Sequence, residues 1–226
     1  MKLIMFDIDG TLTQTCKIDE VCFVQALSDL FGFADIDTDW ATYPHASDSG
    51  VLEALFQSRL GRSPLPAEIS ECKTHFFSLL TEATAAQPFN SIAGAGGILV
   101  ALTCNPAFGV SLASGAWECS ARLKLASAGL DASPLPAAFS DDAEARESIM
   151  QTSLARAVQA HAGASFDSVI YIGDAVWDAR ASRNLGFQFI GIAHEPARVE
   201  KLYSGGASHV FPNYLDARAF LSALDA

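Results

Sequence analysis

The chain has 226 residues, enough for one core domain or a core with a modest insertion, and half of them are hydrophobic, which supplies a sizeable buried core and argues against disorder. Its formal net charge is -12, from 14 basic against 26 acidic residues, with no local Lys/Arg cluster to offset it. That balance excludes nucleic acid and anionic membranes as partners, and a small phosphorylated metabolite would meet the same repulsion unless a divalent cation lay in the site.

In chain order, Leu3 to Phe6 is a short apolar run that predicts a buried strand, ended by the turn-forming Asp7-Ile8-Asp9-Gly10. Residues 15–87 carry helical apolar spacing instead (Val21, Val24, Leu27 and Phe31, then Val51, Leu52, Leu55 and Phe56, then Phe76, Phe77 and Leu80). They predict a helical insertion after the first strand, returning near Pro88-Phe89. Gly94-Ala95-Gly96-Gly97 follows no strand and lacks the dinucleotide spacing, so it reads as a turn entering a helix from Ile98 to Leu102. Val110 to Ala113 predicts a second strand and residues 116 to 128 the helix after it. A further helix opens at Glu144-Ala145-Arg146 and presents Met150, Leu154, Ala157, Val158 and His161 on one face. Ser168 to Ile172 and Phe187 to Ile192 are strands, separated by a helix with Trp177, Ala181 and Leu185 on one side. Strands alternating with helices imply an α/β fold with a mostly parallel sheet covered on both faces.

Chemistry is expected where acidic or hydroxyl residues end strands, because ligands of open parallel sheets gather at the strands' carboxyl ends. Asp7 and Asp9, two apart, point to opposite sides unless the chain turns at Gly10. The turn lets one carboxylate face a metal and substrate while the other reaches over it. Asp174 and Asp178, four apart at the opening of a helix, share one side of its first turn, and hard oxygen ligands of this kind suit Mg²⁺. Capping alone would explain either aspartate of that pair, but not the matching acidic loop after the first strand. Ser114-Gly115 ends the second strand where the next helix would present free amides to an anion, and Arg146 is placed to clamp a phosphate.

Taken together and in this order, these segments resemble the four motifs of the haloacid dehalogenase superfamily of hydrolases, in the phosphatase branch that carries a helical cap and includes phosphoglycolate phosphatase and β-phosphoglucomutase. Asp7 and Asp9 match the first motif, Ser114 the second, and Asp174 with Asp178 the fourth. The third motif is usually a lysine. Here Arg146 is the best-placed basic residue, and the competing Lys124 lies in the wrong segment, the helix just after Ser114. The resemblance implies a Rossmann-like core from residues 1–14 and 88–226 and a helical cap from residues 15–87. It implies that Asp7 attacks phosphorus and that Asp9 handles the proton. It further implies Mg²⁺ held by Asp7, the Asp9 carbonyl and Asp174, with Asp178 contributing less directly, and phosphate held by Ser114, the Gly10 and Gly115 amides and Arg146. An acid at position 9 favours phosphomonoesters over halides, which need no proton. Tyr43, His45, Asp48, Ser49 and Arg59 are the polar cap residues expected nearest the substrate. Trp40, Trp117 and Trp177 read most simply as packing residues, with Trp117 and Trp177 following the second and fourth motifs closely enough to border the pocket.

The alternatives are a sugar-phosphate mutase with the same acidic loops and a non-catalytic binding relative; a serine hydrolase fails because Gly109 to Ala113 lacks the second glycine of a nucleophile elbow. The five scattered cysteines form no CxxC pair, and reduced packing thiols are expected. Met1 to Phe6 is too short for a signal peptide and no apolar run reaches a membrane span. The expectation is a cytoplasmic monomer or homodimer acting on a small phosphorylated substrate.

Overall fold

In the computed structural model, which describes residues 1–163 and 165–225, six strands form one parallel sheet. They are β1 (Lys2–Phe6), β2 (Phe108–Ala113), β3 (Ala137–Ala138), β4 (Ser168–Gly173), β5 (Gln188–Ile192) and β6 (His209–Phe211). Their order in the sheet is β3-β2-β1-β4-β5-β6, and every neighbouring pair is parallel. β1 therefore lies at the switch point of a doubly wound sheet: the chain leaves it toward β2 and β3 on one side and returns to β4 on the other. This is the expected fold class. β3 and β6 were not among the expected strands, being only two and three residues long.

The period-two alternation of the strands divides the core. Ile4, Phe6, Val110, Leu112, Ile170 and Ile172 face one side, with α4 (Ala95–Thr103), α5 (Glu118–Ser127) and α9 (Ala217–Ala223) packed on them. Leu3, Met5, Ala113, Tyr171 and Phe189 face the other, under α6 (Arg146–Ala160), α7 (Val176–Leu185) and α8 (Pro196–Gly205). Between β1 and α4 lie α1 (Cys16–Phe31), α2 (Asp48–Leu60) and α3 (Pro66–Ala86), with a short 3₁₀ turn at Trp40–Thr42. These helices bury a cluster of their own around Phe23, Leu27, Phe56 and Phe76, and Trp117 from the start of α5 belongs to it. Helix α5 thus presents Ala121 and Leu125 to the sheet and Trp117 and Leu123 to the helical insertion.

The opening of α5 differs from the expected one. The helix begins at Glu118 rather than at residue 116, and its first amides are already engaged: Trp117 N–H donates to Asp48 (2.8 Å) and Glu118 N–H to Asp141 (2.6 Å). The N-terminus of α2 is thereby docked on the sheet layer. Asp48 N–H donates to the Gly115 carbonyl (2.8 Å), Ser47 Oγ to the Glu144 carbonyl (2.6 Å), and Ser49 Oγ to the Ser140 carbonyl (2.8 Å). Among the described residues no helix is long and apolar enough to cross a membrane.

Candidate active site

The carboxyl ends of β1, β2 and β4 meet in a cavity of about 260 Å³. Asp7 is the first residue past β1, and its N–H still donates to the Ile172 carbonyl of β4 (2.9 Å). The chain then folds back on the Ile8 carbonyl, which accepts from Leu12 N–H (2.8 Å) and Thr13 N–H (3.0 Å). Gly10 makes this turn possible with φ of +72°, and a side chain there would collide with the Asp174 carboxylate. The turn separates the two aspartates as the spacing requires. Asp7 faces Asp174 and Asp178, while Asp9 turns to Thr15 Oγ1 (2.5 Å) and Lys124 Nζ (2.7 Å).

One carboxylate oxygen from each of Asp7, Asp174 and Asp178 lies within 4.8 Å of the others, all three residues buried. Asp178 accepts from Ala175 N–H (3.2 Å) through one oxygen, and its other oxygen is buried without a hydrogen-bond partner among the described residues. Arg146, at the start of α6, reaches Asp7 Oδ1 with Nη1 (3.3 Å) and lies 3.4 Å from Asp178 Oδ1 through Nε, too misaligned to hydrogen-bond there. Arg198, from the first turn of α8, pairs with the Asp174 carboxylate and donates to its carbonyl (3.1 Å).

Crowding of buried acids moves their titration upward. Burial pushes Asp7 up, with Arg146 pulling it down and Asp9 adding to the rise. Burial and then the Asp7 charge push Asp174 to about 7, and burial drives Asp178 well above the ordinary carboxylate range despite Arg146. A converging set of hard oxygens, one of them buried and unpartnered, is the donor chemistry that a small divalent cation takes. The residues present therefore fit Mg²⁺, with the side chains of Asp7, Asp174 and Asp178 as the set. The Asp9 side chain lies outside it, held by Lys124.

Of the remaining expected residues, Ser114, Gly115, Arg146 and Asp48 line the cavity, as does Trp177. Gly115 allows a close approach, since a side chain there would meet the Ala46 carbonyl at 2.8 Å and Arg146 Nη2 at 3.0 Å. Tyr43, His45 and Ser49 do not line it. The Tyr43 hydroxyl donates to the Asp37 carbonyl (2.9 Å), His45 packs against Gly50, and Ser49 is spent on Ser140 and on Trp117 Nε1 (2.8 Å). Arg59 donates to the Asp35 carbonyl (3.2 Å), and Trp117 is buried in the helical cluster. The insertion instead contributes Asp19, Phe23, Trp40 and Val51 to the cavity wall.

No family model matches the chain, and no curated protein matches it in sequence. Solved structures do match over nearly its whole length. A hydrolase from Pseudomonas syringae superposes with a TM-score of 0.75 at 20% identity, covering 98% of both chains. A conserved haloacid dehalogenase-like protein from Agrobacterium tumefaciens gives 0.61 at 18% identity over 99% of each. CbbY from Rhodobacter sphaeroides, solved in complex with phosphate, gives 0.70 at 16% identity over 94% of each. The chain has the haloacid dehalogenase-like fold.

Within this haloacid dehalogenase-like framework, two basic residues at the site were not expected there. Lys124 lies outside the third-motif segment, in the helix after Ser114. The available signal was its position among Ala121, Leu125 and Ala128, a charge on the apolar stripe of a helix. Arg198 follows a strand end at the start of a helix, the same kind of position that singled out Asp174.

Proposed function

We propose that the chain is a Mg²⁺-dependent phosphomonoester hydrolase working through an aspartyl-phosphate on Asp7, with residues 15–87 acting as a cap over the site. The observation that carries this reading is the convergence of Asp7, Asp174 and Asp178 beside Arg146, with Asp9 two residues on and turned aside from that set. A cation held by the three carboxylates would neutralise charge where an anionic nucleophile must approach an anionic phosphate.

Asp7 attacks phosphorus in line; the bond from phosphorus to the ester oxygen breaks, and Asp9 delivers a proton to that oxygen. Asp9 then takes a proton from water as its oxygen attacks phosphorus and the bond to Asp7 breaks. Arg146 and Ser114 both line the cavity beside Asp7 and are suited to hold the phosphate oxygens.

Hydrolysis is favoured over transfer between sugar hydroxyls by the charges of the cavity lining. A sugar bisphosphate intermediate needs a second cationic seat. Among the described lining residues the only basic ones are Arg146 and Arg198, both paired to the acidic cluster, while the insertion offers Asp19 and Asp48. The substrate that fits is a small monoester whose leaving group bears no second phosphate. We place the chain in the cytoplasm, where five scattered cysteines without a CxxC pair would stay reduced.

The test is inorganic phosphate release from a panel of monoesters, with Mg²⁺ or EDTA, by wild type and Asp7→Asn. Release should need both the metal and Asp7, with a loss on the order of 10³-fold or more for the variant, because the covalent route has no other nucleophile. Equal release by Asp7→Asn would refute the assignment.

A further inference from the structure

Lys124 is a lysine with no exposed surface, placed in the last turn of α5 where the sheet layer meets the helical insertion. Its ammonium lies 2.7 Å from Asp9 Oδ2 and 2.5 Å from Asp19 Oδ1, in the first turn of α1. Burial alone would pull Lys124 toward neutrality, but Asp19, Asp9 and Asp48 more than offset it, so the side chain stays charged. Both ends of the pair also suit their helices, an acid near an N-terminus and a base near a C-terminus.

The consequence falls on Asp9. An aspartate on a turn has two free side-chain torsions and would sample orientations that miss the leaving oxygen. Here one carboxylate oxygen accepts from Thr15, in the same loop, and the other from Lys124, which comes from a different element. Neither contact involves the Asp7, Asp174 and Asp178 set. The clamp therefore fixes Asp9 from two directions and links it to α1, whose Asp19 and Phe23 line the cavity.

We infer that Lys124 is a positioning residue: it holds the Asp9 carboxylate in place for proton transfer and ties that placement to helix α1 through Asp19. The inference rests on the phosphatase reading above. It gives Lys124 a role other than that of the third-motif base, which the geometry leaves to Arg146 beside Asp7.

The discriminating variable is the leaving group. An alkyl ester must be protonated as it departs, whereas p-nitrophenolate leaves without help. Misplacing Asp9 should therefore lower kcat/KM, which reports only the steps through departure of the leaving group, for the first ester and spare it for the second. The later hydrolysis of the aspartyl-phosphate, where Asp9 serves as base, is common to both esters and enters kcat alone. A general structural defect lowers kcat/KM for both. The experiment measures kcat/KM for an alkyl phosphate and for p-nitrophenyl phosphate, with Mg²⁺, for wild type, Asp9→Asn, Lys124→Met, Lys124→Gln and Asp19→Asn. Folding is checked by thermal melting.

Lys124→Met should reproduce the Asp9→Asn profile, with a loss of about 100-fold on the alkyl ester and less than about 5-fold on the aryl ester, the scale of general acid catalysis. Lys124→Gln, which keeps a donor in a buried site, and Asp19→Asn, which loosens only the outer anchor, should show the same split at roughly 10-fold. These two variants carry the test if the methionine variant does not fold. Equal losses on both esters, or no loss on the alkyl ester, would overturn the clamp while leaving Asp7-dependent hydrolysis intact. Wild type that releases phosphate from neither ester would bring down the phosphatase reading, and the catalytic sense of the clamp with it.

Discussion

Gly10 shows how one residue can hold the site's geometry without touching a substrate. Its φ of +72° lies where an L side chain is strained by about 1–2 kcal/mol. The larger effect is steric, since an added methyl collides with the Asp174 carboxylate, which is itself paired with Arg198. Gly10→Ala should fold with a loss of about 1–3 kcal/mol and lose Mg²⁺-dependent phosphate release far beyond what that loss explains. A denaturation curve and an activity assay on the same sample check this, and a variant with wild-type turnover would show that the collision is relieved elsewhere. Residues such as Asp7, Gly10, Asp174 and Asp178 were legible in the sequence because their signal is local: a short apolar run, then an acid and a turn. Lys124 and Arg198 were not, because their partners lie 115 and 24 residues away and only the fold brings them together. The polar loop residues Tyr43, His45 and Ser49 looked available for substrate, yet their hydrogen bonds and contacts serve the insertion itself and its docking on the core.

Elements were legible where their pattern was strong rather than by length alone: α8, as long as α7, and α9 were not among the expected helices. The long amphipathic helices and the four longer strands were visible in their periodicity, whereas β3 and β6 are too short to show one. At β3 tertiary contacts supply what local propensity lacks. Arg156 of α6 donates to the Ala137 carbonyl (2.7 Å) and pairs with both oxygens of Asp142 (2.8 and 2.7 Å), which in turn accepts from Phe139 N–H (3.0 Å). Burial pushes the Asp142 carboxyl up, but Arg156 and the Phe139 amide outweigh it and leave the group below its ordinary value of 3.8. A depressed folded value means stabilisation that is present above the unfolded value and lost as pH falls through the folded one. Asp142→Asn should therefore cost about 1 kcal/mol at neutral pH, a figure kept small by the partial exposure of the pair, and nothing once the wild-type carboxyl is protonated. Urea titrations near pH 7 and near pH 2 test it. A difference between variant and wild type that persists in acid would mean that the carboxylate's charge is not the source of the stabilisation.

At the scale of the molecule, the parallel sheet delivers every strand's carboxyl end to one edge, so Asp7, Ser114, Asp174 and Arg198 arrive together from β1, β2, β4 and β5. The arrangement concentrates charge of one sign. Five carboxylates, those of Asp7, Asp9, Asp19, Asp174 and Asp178, are served by three cations, Lys124, Arg146 and Arg198. The chain as a whole adds to the imbalance with a net charge of -12. Self-repulsion of this kind opposes the compact state, and a cation bound only by the folded form should relieve it. Saturation at a hundredfold excess over Kd is worth about 2.7 kcal/mol, which for a chain of this size raises Tm by about 5–10 °C. Thermal melts in EDTA and in Mg²⁺, matched in ionic strength with NaCl so that screening is constant, measure the shift. Asp174→Asn, which removes one of the three converging ligands, should melt at the same temperature with and without Mg²⁺. A wild-type Tm indifferent to Mg²⁺ would mean that Arg146 and Arg198 already balance the cluster and that the three carboxylates do not form a metal seat.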